Sequence, residues 1–410
     1  MEKILRQTSW LFLSQVITRT IGFFYTIFLA KNLGVSDYGL FSIALVYFSL
    51  LSTIADFGFN RFLVTEIASD RKKTSQLLFA TAIFRLAITS ILYAIFAVGL
   101  YFLDPDKIRV YLILLASLAV LPQSIALTLD AVFIAIQKLQ ISSIALLSLS
   151  ISTTIGGIIL VNLKYGVTGA IIAVILGQLI YLSTLAFFLK VQHIALQLEV
   201  KWQTLKNIIW GSVPYGLVGI LGLLYFKIDA LMLGYLKGNF DVGIYSVAFR
   251  FLEAIIFIPT SLSTALFPNI VRLIHTDTAK AYKLYINATL ILLFASLIIF
   301  IIYQTLVPLV ISNFLPQYLP SINVIRILAF TIPFMFMISP QGIILYSEKR
   351  FLRALILISV FNLVLNIGLN FYLIPKYSYF GSAWATLISD IVGFFIFFVY
   401  IRSKLIKGLK

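Results

Sequence analysis

No cysteine occurs in the 410 residues, which excludes disulfides and thiol chemistry. Charge is scarce as well: Asp, Glu, Lys and Arg make up 11% of the chain, against about 25% in an ordinary soluble domain. Hydrophobic residues reach 61%, where soluble domains carry about 45–50%. So little charge cannot cover a water-facing surface, and the chain reads as a membrane protein. Only two histidines are present, His193 and His275, both in loops and without metal-ligand spacing around them, so no metal site is expected. No nucleophile motif, phosphate-binding glycine loop or soluble catalytic domain appears. The chain therefore reads as no enzyme, with no cofactor.

What is there is a succession of apolar runs. A spanning helix needs about 20 apolar residues, and short polar breaks divide the runs into twelve spans near 8–31, 39–60, 77–103, 110–136, 141–162, 166–189, 206–235, 242–270, 282–304, 321–346, 354–374 and 379–402. The first run resembles a signal peptide, but Gln15 and Arg19 interrupt it and no small-x-small cleavage site follows, so it is read as span 1. Between spans 6 and 7, residues 191–205 alternate Ile194, Leu196, Leu198, Val200 and Trp202 with more polar neighbours. This pattern predicts an extended linker at the membrane interface, with its Trp at headgroup depth.

A net charge of +16 would suggest nucleic acid in a soluble protein. Placing the N-terminus in the cytoplasm puts 20 cations on that side and 6 on the other. This is a strong positive-inside bias, and both termini are expected to be cytoplasmic in a multi-pass protein of the cytoplasmic (inner) membrane. Anionic lipids account for the basic charge, and no nucleic acid is implied.

The sequence also repeats itself. GVSDYGLFSIA at 34–44 returns as GNFDVGIYSVA at 238–248, an offset of 204. Farther along each half, Tyr165 and Gly169 correspond to Tyr377 and Gly381, Gln178 to Asp390, and Pro122 falls within one residue of Pro333, near an offset of 212. Internal repeats in an apolar chain point to transporters, and halves of six spans each share one orientation. The expected fold is an all-α polytopic membrane protein: twelve transmembrane helices in two pseudo-symmetric six-helix lobes around a central cavity. The N-terminal lobe is 1–190, the inter-lobe linker 191–205, and the C-terminal lobe 206–410. Span 7 carries Gly211, Pro214, Gly216, Gly219 and Gly222, which predict a kink or hinge.

Charges inside spans select the candidate site. Lys227, Asp229, Arg250 and Glu253 flank the second copy of the repeated turn, while the equivalent positions in the first copy are Phe23, Tyr25, Val46 and Ser49. Packing needs would be common to both copies, so residues confined to one copy point to function. A cation at mid-membrane costs about 2.5–3.5 kcal/mol. Arg326 and Arg85 lie near span ends and are expected to snorkel, whereas Arg19 lies near the middle of span 1. Arg250 and Glu253 can pair along one helix face, and Lys227 and Asp229 lie on different faces. Asp229 is expected to bridge to Arg19 or Arg250. Asp130, Asp390 and Gln178 complete the buried polar set, its acids being candidate proton or sodium sites or structural hydrogen-bond acceptors.

LGVSDYG at 33–39, ADFGFNRFLVTEIA at 55–68, KIDALMLG at 227–234 and VGIYSVAFRFLEA at 242–254 resemble the polysaccharide flippases of the multidrug/oligosaccharidyl-lipid/polysaccharide exporter superfamily. The resemblance implies a transporter that moves a lipid-linked oligosaccharide between leaflets by alternating access. It also implies headgroup contacts by arginines in spans 1 and 8, where Arg19 and Arg250 stand. Related lipid II flippases usually carry further C-terminal helices, so an O-antigen or exopolysaccharide role is expected. The substrate-binding set is then Arg19, Lys227 and Arg250, and Asp229, Glu253, Asp390, Asp130 and Gln178 form the coupling or cavity-lining set. Expected partners are the lipid-linked oligosaccharide, membrane lipids, H+ or Na+, and polymerases of the same pathway. Two alternatives stand beside this reading. One is a cation-coupled multidrug exporter of the same superfamily; the other is a membrane-embedded polysaccharide polymerase or ligase, which the short external loops disfavour.

Overall fold

The computed structural model describes residues 2–194, 202–347 and 349–407. Its helices, in order, are α1 Glu2–Leu33, α2 Val35–Asp56, α3 Phe59–Ser69, α4 Thr74–Leu103, α5 Lys107–Ser117, α6 Val120–Ala135, α7 Leu139–Asn162, α8 Gly166–Val191, α9 Trp202–Leu236, α10 Asn239–Ile255, α11 Phe257–Thr276, α12 Thr278–Phe314, α13 Ser321–Ala329, α14 Thr331–Ser347, α15 Lys349–Tyr377 and α16 Tyr379–Lys407. Hydrocarbon offers the backbone no hydrogen-bond partners, so apolar runs of this length fold as helices that satisfy themselves. Among the described residues eleven segments are long and apolar enough to span a membrane, with α2–α3, α5–α6 and α10–α11 each taken as one, or twelve if the bent pair α13 and α14 is also taken as one. Most of the linker expected to be extended, residues 195–201, lies outside the described residues. Trp202 opens α9 and is exposed.

Several spans are broken, and proline accounts for three of the breaks. A proline removes the donor for the carbonyl four residues earlier. Pro122, Pro259 and Pro333 fall four residues after Leu118, Ile255 and Ala329, where α5 gives way to α6, α10 to α11, and α13 to α14. Proline alone is not sufficient, because Pro308 and Pro340 sit inside unbroken helices. The sequence paired Pro122 with Pro333, and both mark a break in the corresponding span.

The turns repeat in conformation as well. Gly34 opens α2 with φ 84° and ψ 168°, and Gly238 opens α10 with φ 97° and ψ −174°, a region that costs any residue with a Cβ. At the other repeated join Gly166 and Ser378, 212 residues apart, both take positive φ, 54° and 51°.

The chain divides into two compact units, Met1–Leu223 and Leu224–Lys410. The boundary falls within α9, which is one uninterrupted helix through the glycines of span 7. In the first unit, α2 and α3 are separated by Phe57 and Gly58, both left-handed at φ 38° and 82°. This corner seats the early part of α9: a Cβ on Gly58 would come 2.6 Å from the Gly216 nitrogen and from the Ser212 carbonyl oxygen. Ile208 of α9 is buried in the same apolar core as Phe59, Leu63 and Phe133. In the second unit the two repeated turns are tied together. Lys237 donates to the Pro375 carbonyl at 2.9 Å, and Ser378 donates to Asp241.

Candidate functional site

In the second unit α9 carries Lys227 and Asp229, and α10 carries Arg250 and Glu253 one turn apart. Lys227 Nζ reaches Glu253 Oε1 at 2.5 Å, and Arg250 Nη1 reaches Oε2 at 2.9 Å. One carboxylate is thus shared by two cations, so the trio carries a net positive charge. It is half-buried, and Arg250 is its most exposed member at 39%. Lys227 also stands 5.9 Å over the Phe249 ring, close enough for a modest cation–π attraction. The pairing of Arg250 with Glu253 follows the spacing in the sequence. The partner of Lys227, Glu253, lies on the next helix, and spacing along the sequence does not reveal it.

Asp229 corrects an expectation, for among the described residues it bridges to no arginine. Its Oδ2 accepts from the Tyr245 hydroxyl at 2.8 Å and from Thr386 Oγ1 at 2.6 Å, while Oδ1 accepts from Asn370 Nδ2 at 2.6 Å. Asn370 is itself held by Asn366 Oδ1 at 2.9 Å. Three neutral donors from α10, α15 and α16 therefore surround a carboxyl that is 3% exposed. Asp390 is buried as well and accepts from the Tyr225 hydroxyl at 2.6 Å. Neither acid forms an ion pair among the described residues.

The first unit places Arg19 on α1 with an exposed side chain and no ion pair among the described residues. Arg85 corrects a second expectation. It does not snorkel: it is 1% exposed, and Nη2 lies 2.7 Å from Asp56 Oδ1. Burial of a guanidinium on an apolar helix is affordable only against such a partner. Arg326 is exposed near the end of α13, as snorkelling requires. Asp130 and Gln178 are buried. Asp130 faces the hydroxyls of Ser142 and Tyr181, without closing a full hydrogen bond to either. The backbone at His275 is in the last turn of α11 rather than in a loop, because the helix runs on to Thr276. Among the described residues no three His, Cys, Asp or Glu side chains gather as metal ligands.

Sequence reading missed Asp56 as a partner and Tyr225, Tyr245, Asn366, Asn370 and Thr386 as acceptors' neighbours. One signal was available: Asn362, Asn366 and Asn370 recur every fourth residue along an apolar helix, which places them on one face.

Residues 4–274 match the family described as polysaccharide biosynthesis protein, and residues 214–372 match the MatE family. Probable flippase AglR of Haloferax volcanii is 27% identical over 178 residues, 41% of this chain and 36% of that protein. The chain thus matches little more than a third of the length of that curated relative. Among solved structures, the lipid II flippase MurJ in an inward closed conformation superposes with a TM-score of 0.70 at 15% identity, covering 96% of this chain and 87% of that one. An outward-facing multidrug resistance MATE family transporter of the MOP superfamily gives 0.68 at 15%, covering 97% and 95%. A MOP superfamily transporter from Pyrococcus furiosus gives 0.59 at 17%, covering 98% and 96%. At these identities the likeness is one of fold.

Proposed function

The chain belongs to the polysaccharide biosynthesis protein family, and on that footing we propose that it is a flippase. Its cargo is a polyprenyl-pyrophosphate-linked oligosaccharide, carried across the cytoplasmic membrane for cell-surface polysaccharide synthesis. The observation that carries this reading is the net positive charge of Lys227, Arg250 and Glu253 inside a membrane-spanning unit. A pyrophosphate headgroup is at least a dianion, and guanidinium groups bind phosphate oxygens in bidentate fashion. Arg19 supplies a further exposed guanidinium within a span. Arg19, Lys227 and Arg250 are the proposed headgroup contacts, and Glu253 sets how strongly two of them hold it.

Transport then requires the site to open to one membrane face and then the other, with α9 as the flexing element. Asp229 and Asp390 are the proposed coupling groups, since a buried carboxyl held by neutral donors can bind and release a proton or sodium ion. Asp130 and Gln178 are the corresponding buried polar groups of the first unit. The basic loops orient both termini to the cytoplasm. Deleting the gene and locating the lipid-linked oligosaccharide tests the reading. Build-up on the inner leaflet supports it, and normal leaflet distribution with altered polymer length transfers it to a polymerase.

A cation-coupled multidrug exporter is the second reading, favoured by one observation: Asp229 and Asp390 accept from neutral donors and form no ion pair with an arginine among the described residues. A drug-sensitivity panel on the deletion strain separates the two, because a flippase leaves resistance unchanged.

A further inference from the structure

In the second unit the buried polar side chains continue past the two acids. Asn362, Asn366 and Asn370 form one stripe on α15, and all are buried. Asn370 and Asn366 serve Asp229 near the α15–α16 turn, and Asn362 faces Tyr225, the donor to Asp390. The Asn362 amide packs so closely on Gly393 of α16 that a Cβ there would meet Nδ2 at 2.8 Å. One residue on, the Phe394 carbonyl accepts from Gln341 Nε2 at 3.5 Å. Tyr285 of α12 faces both Gln341 and Thr289. Because α12 begins at Thr278, this line runs from the repeated outer turns to about two helical turns from the opposite end of the unit.

Four atoms along it, Asn370 Oδ1, Asn362 Oδ1, Gln341 Oε1 and the Tyr285 hydroxyl, are buried and have no hydrogen-bond partner among the described residues. Gln341 is 0% exposed and Tyr285 1%. Unsatisfied polar groups are costly in hydrocarbon, so such a row marks a path for water or an ion. At its far end Tyr285 shares one buried apolar cluster with Ile274, Ile344, Phe351, Phe397 and Ile401.

We propose that this row is the route by which a monovalent cation, a proton or sodium, travels between the Asp229 and Asp390 carboxylates and the membrane face where α12 begins, with the apolar cluster as its gate. The inference rests on the reading of those two acids as coupling groups. Amide and hydroxyl oxygens at successive depths replace the ion's hydration, and an apolar layer of this kind blocks passage until its side chains part.

The chain has no cysteine, so a single introduced thiol reports without background. Gln341→Cys is made in the full-length protein, and vesicles of both orientations are treated with a small cationic methanethiosulfonate. Ala279→Cys and Asn313→Cys, exposed at the two ends of α12, mark the two faces. The expected result is modification of Gln341→Cys from the face that labels Ala279→Cys, at a rate that Phe351→Ala raises several-fold. Thr289→Cys serves as the reporter if Gln341→Cys does not fold. No modification from that face, with or without Phe351→Ala, overturns the route, as does modification from the Asn313 face alone. Labelling needs no transport, so the ion dependence of Asp390→Asn transport tests the coupling reading separately.

Discussion

Arg85 on α4 and Asp56 at the end of α2 face each other at 2.7 Å, with the arginine buried. Thr128 Oγ1 of α6 lies 3.5 Å from the second guanidinium nitrogen. The pair ties three helices of the first unit where α2 turns into α3, which makes this deep cation a brace rather than a cargo contact. Arg85→Ala leaves the Asp56 carboxylate without its partner, and breaking such a pair costs roughly 3–5 kcal/mol. A large fall in the melting temperature of purified protein is expected, and an unchanged melting temperature contradicts the bracing role.

The α2–α3 corner gives a steric prediction. Gly58 has φ 82°, and an added Cβ would come 2.6 Å from backbone atoms of Ser212 and Gly216. Backbone cannot yield as a flexible side chain does, so Gly58→Ala is expected to destabilise by at least about 1–3 kcal/mol through overpacking alone. Gly222→Ala, which meets nothing within 4 Å, is the control and is expected to be near neutral. Equal melting temperatures for the two variants would contradict the packing described.

Glu253 gives a prediction that links stability to ligand. Glu253→Gln removes the shared anion from Lys227 and Arg250. The apo variant is expected to melt lower than wild type. Added polyprenyl pyrophosphate is expected to restore more stability to it than to wild type, since binding to the folded state stabilises by mass action. Thermal shift with and without the lipid measures this, and equal shifts for both proteins count against headgroup binding there.

A pH effect is expected outside the membrane. Asp104, just after α4, accepts from Arg109 Nε and Nη2 at 2.6 Å each and from the Asp106 amide at 2.9 Å. Burial alone would raise its pKa, but the arginine and the amide outweigh burial and hold it below the usual value. A depressed folded pKa means stability that is present above the ordinary carboxylate pKa of about 3.9 and is lost as pH falls through the folded value. The melting-temperature gap between wild type and Asp104→Asn is therefore expected to be full near neutrality and to close under acid. A gap that widens on acidification contradicts the assignment.

Much of the architecture could be read in advance because lipid leaves the backbone few choices. Apolar run length set the spans, and the duplicated turns at Gly34 and Gly238 kept their unusual backbone. The side-chain partners were harder to foresee. Helices that are apolar nearly all round do not reveal which face meets which neighbour. Nothing local tied Arg85 to Asp56, Lys227 to Glu253, or Asp229 to Thr386, whose separations in the chain run from 26 to 157 residues. Arg250 with Glu253 was legible because one helix turn contains both. Span breaks were legible in principle from Pro122, Pro259 and Pro333, yet Pro308 and Pro340 show that the surrounding packing decides whether a proline ends a helix.

The proposed headgroup contacts are tested by leaflet-resolved labelling of the lipid-linked oligosaccharide in cells carrying Arg19→Ala, Lys227→Ala or Arg250→Ala at wild-type levels of folded protein. Each variant is expected to strand the oligosaccharide on the cytoplasmic leaflet. Wild-type delivery to the outer leaflet by all three would contradict those contacts.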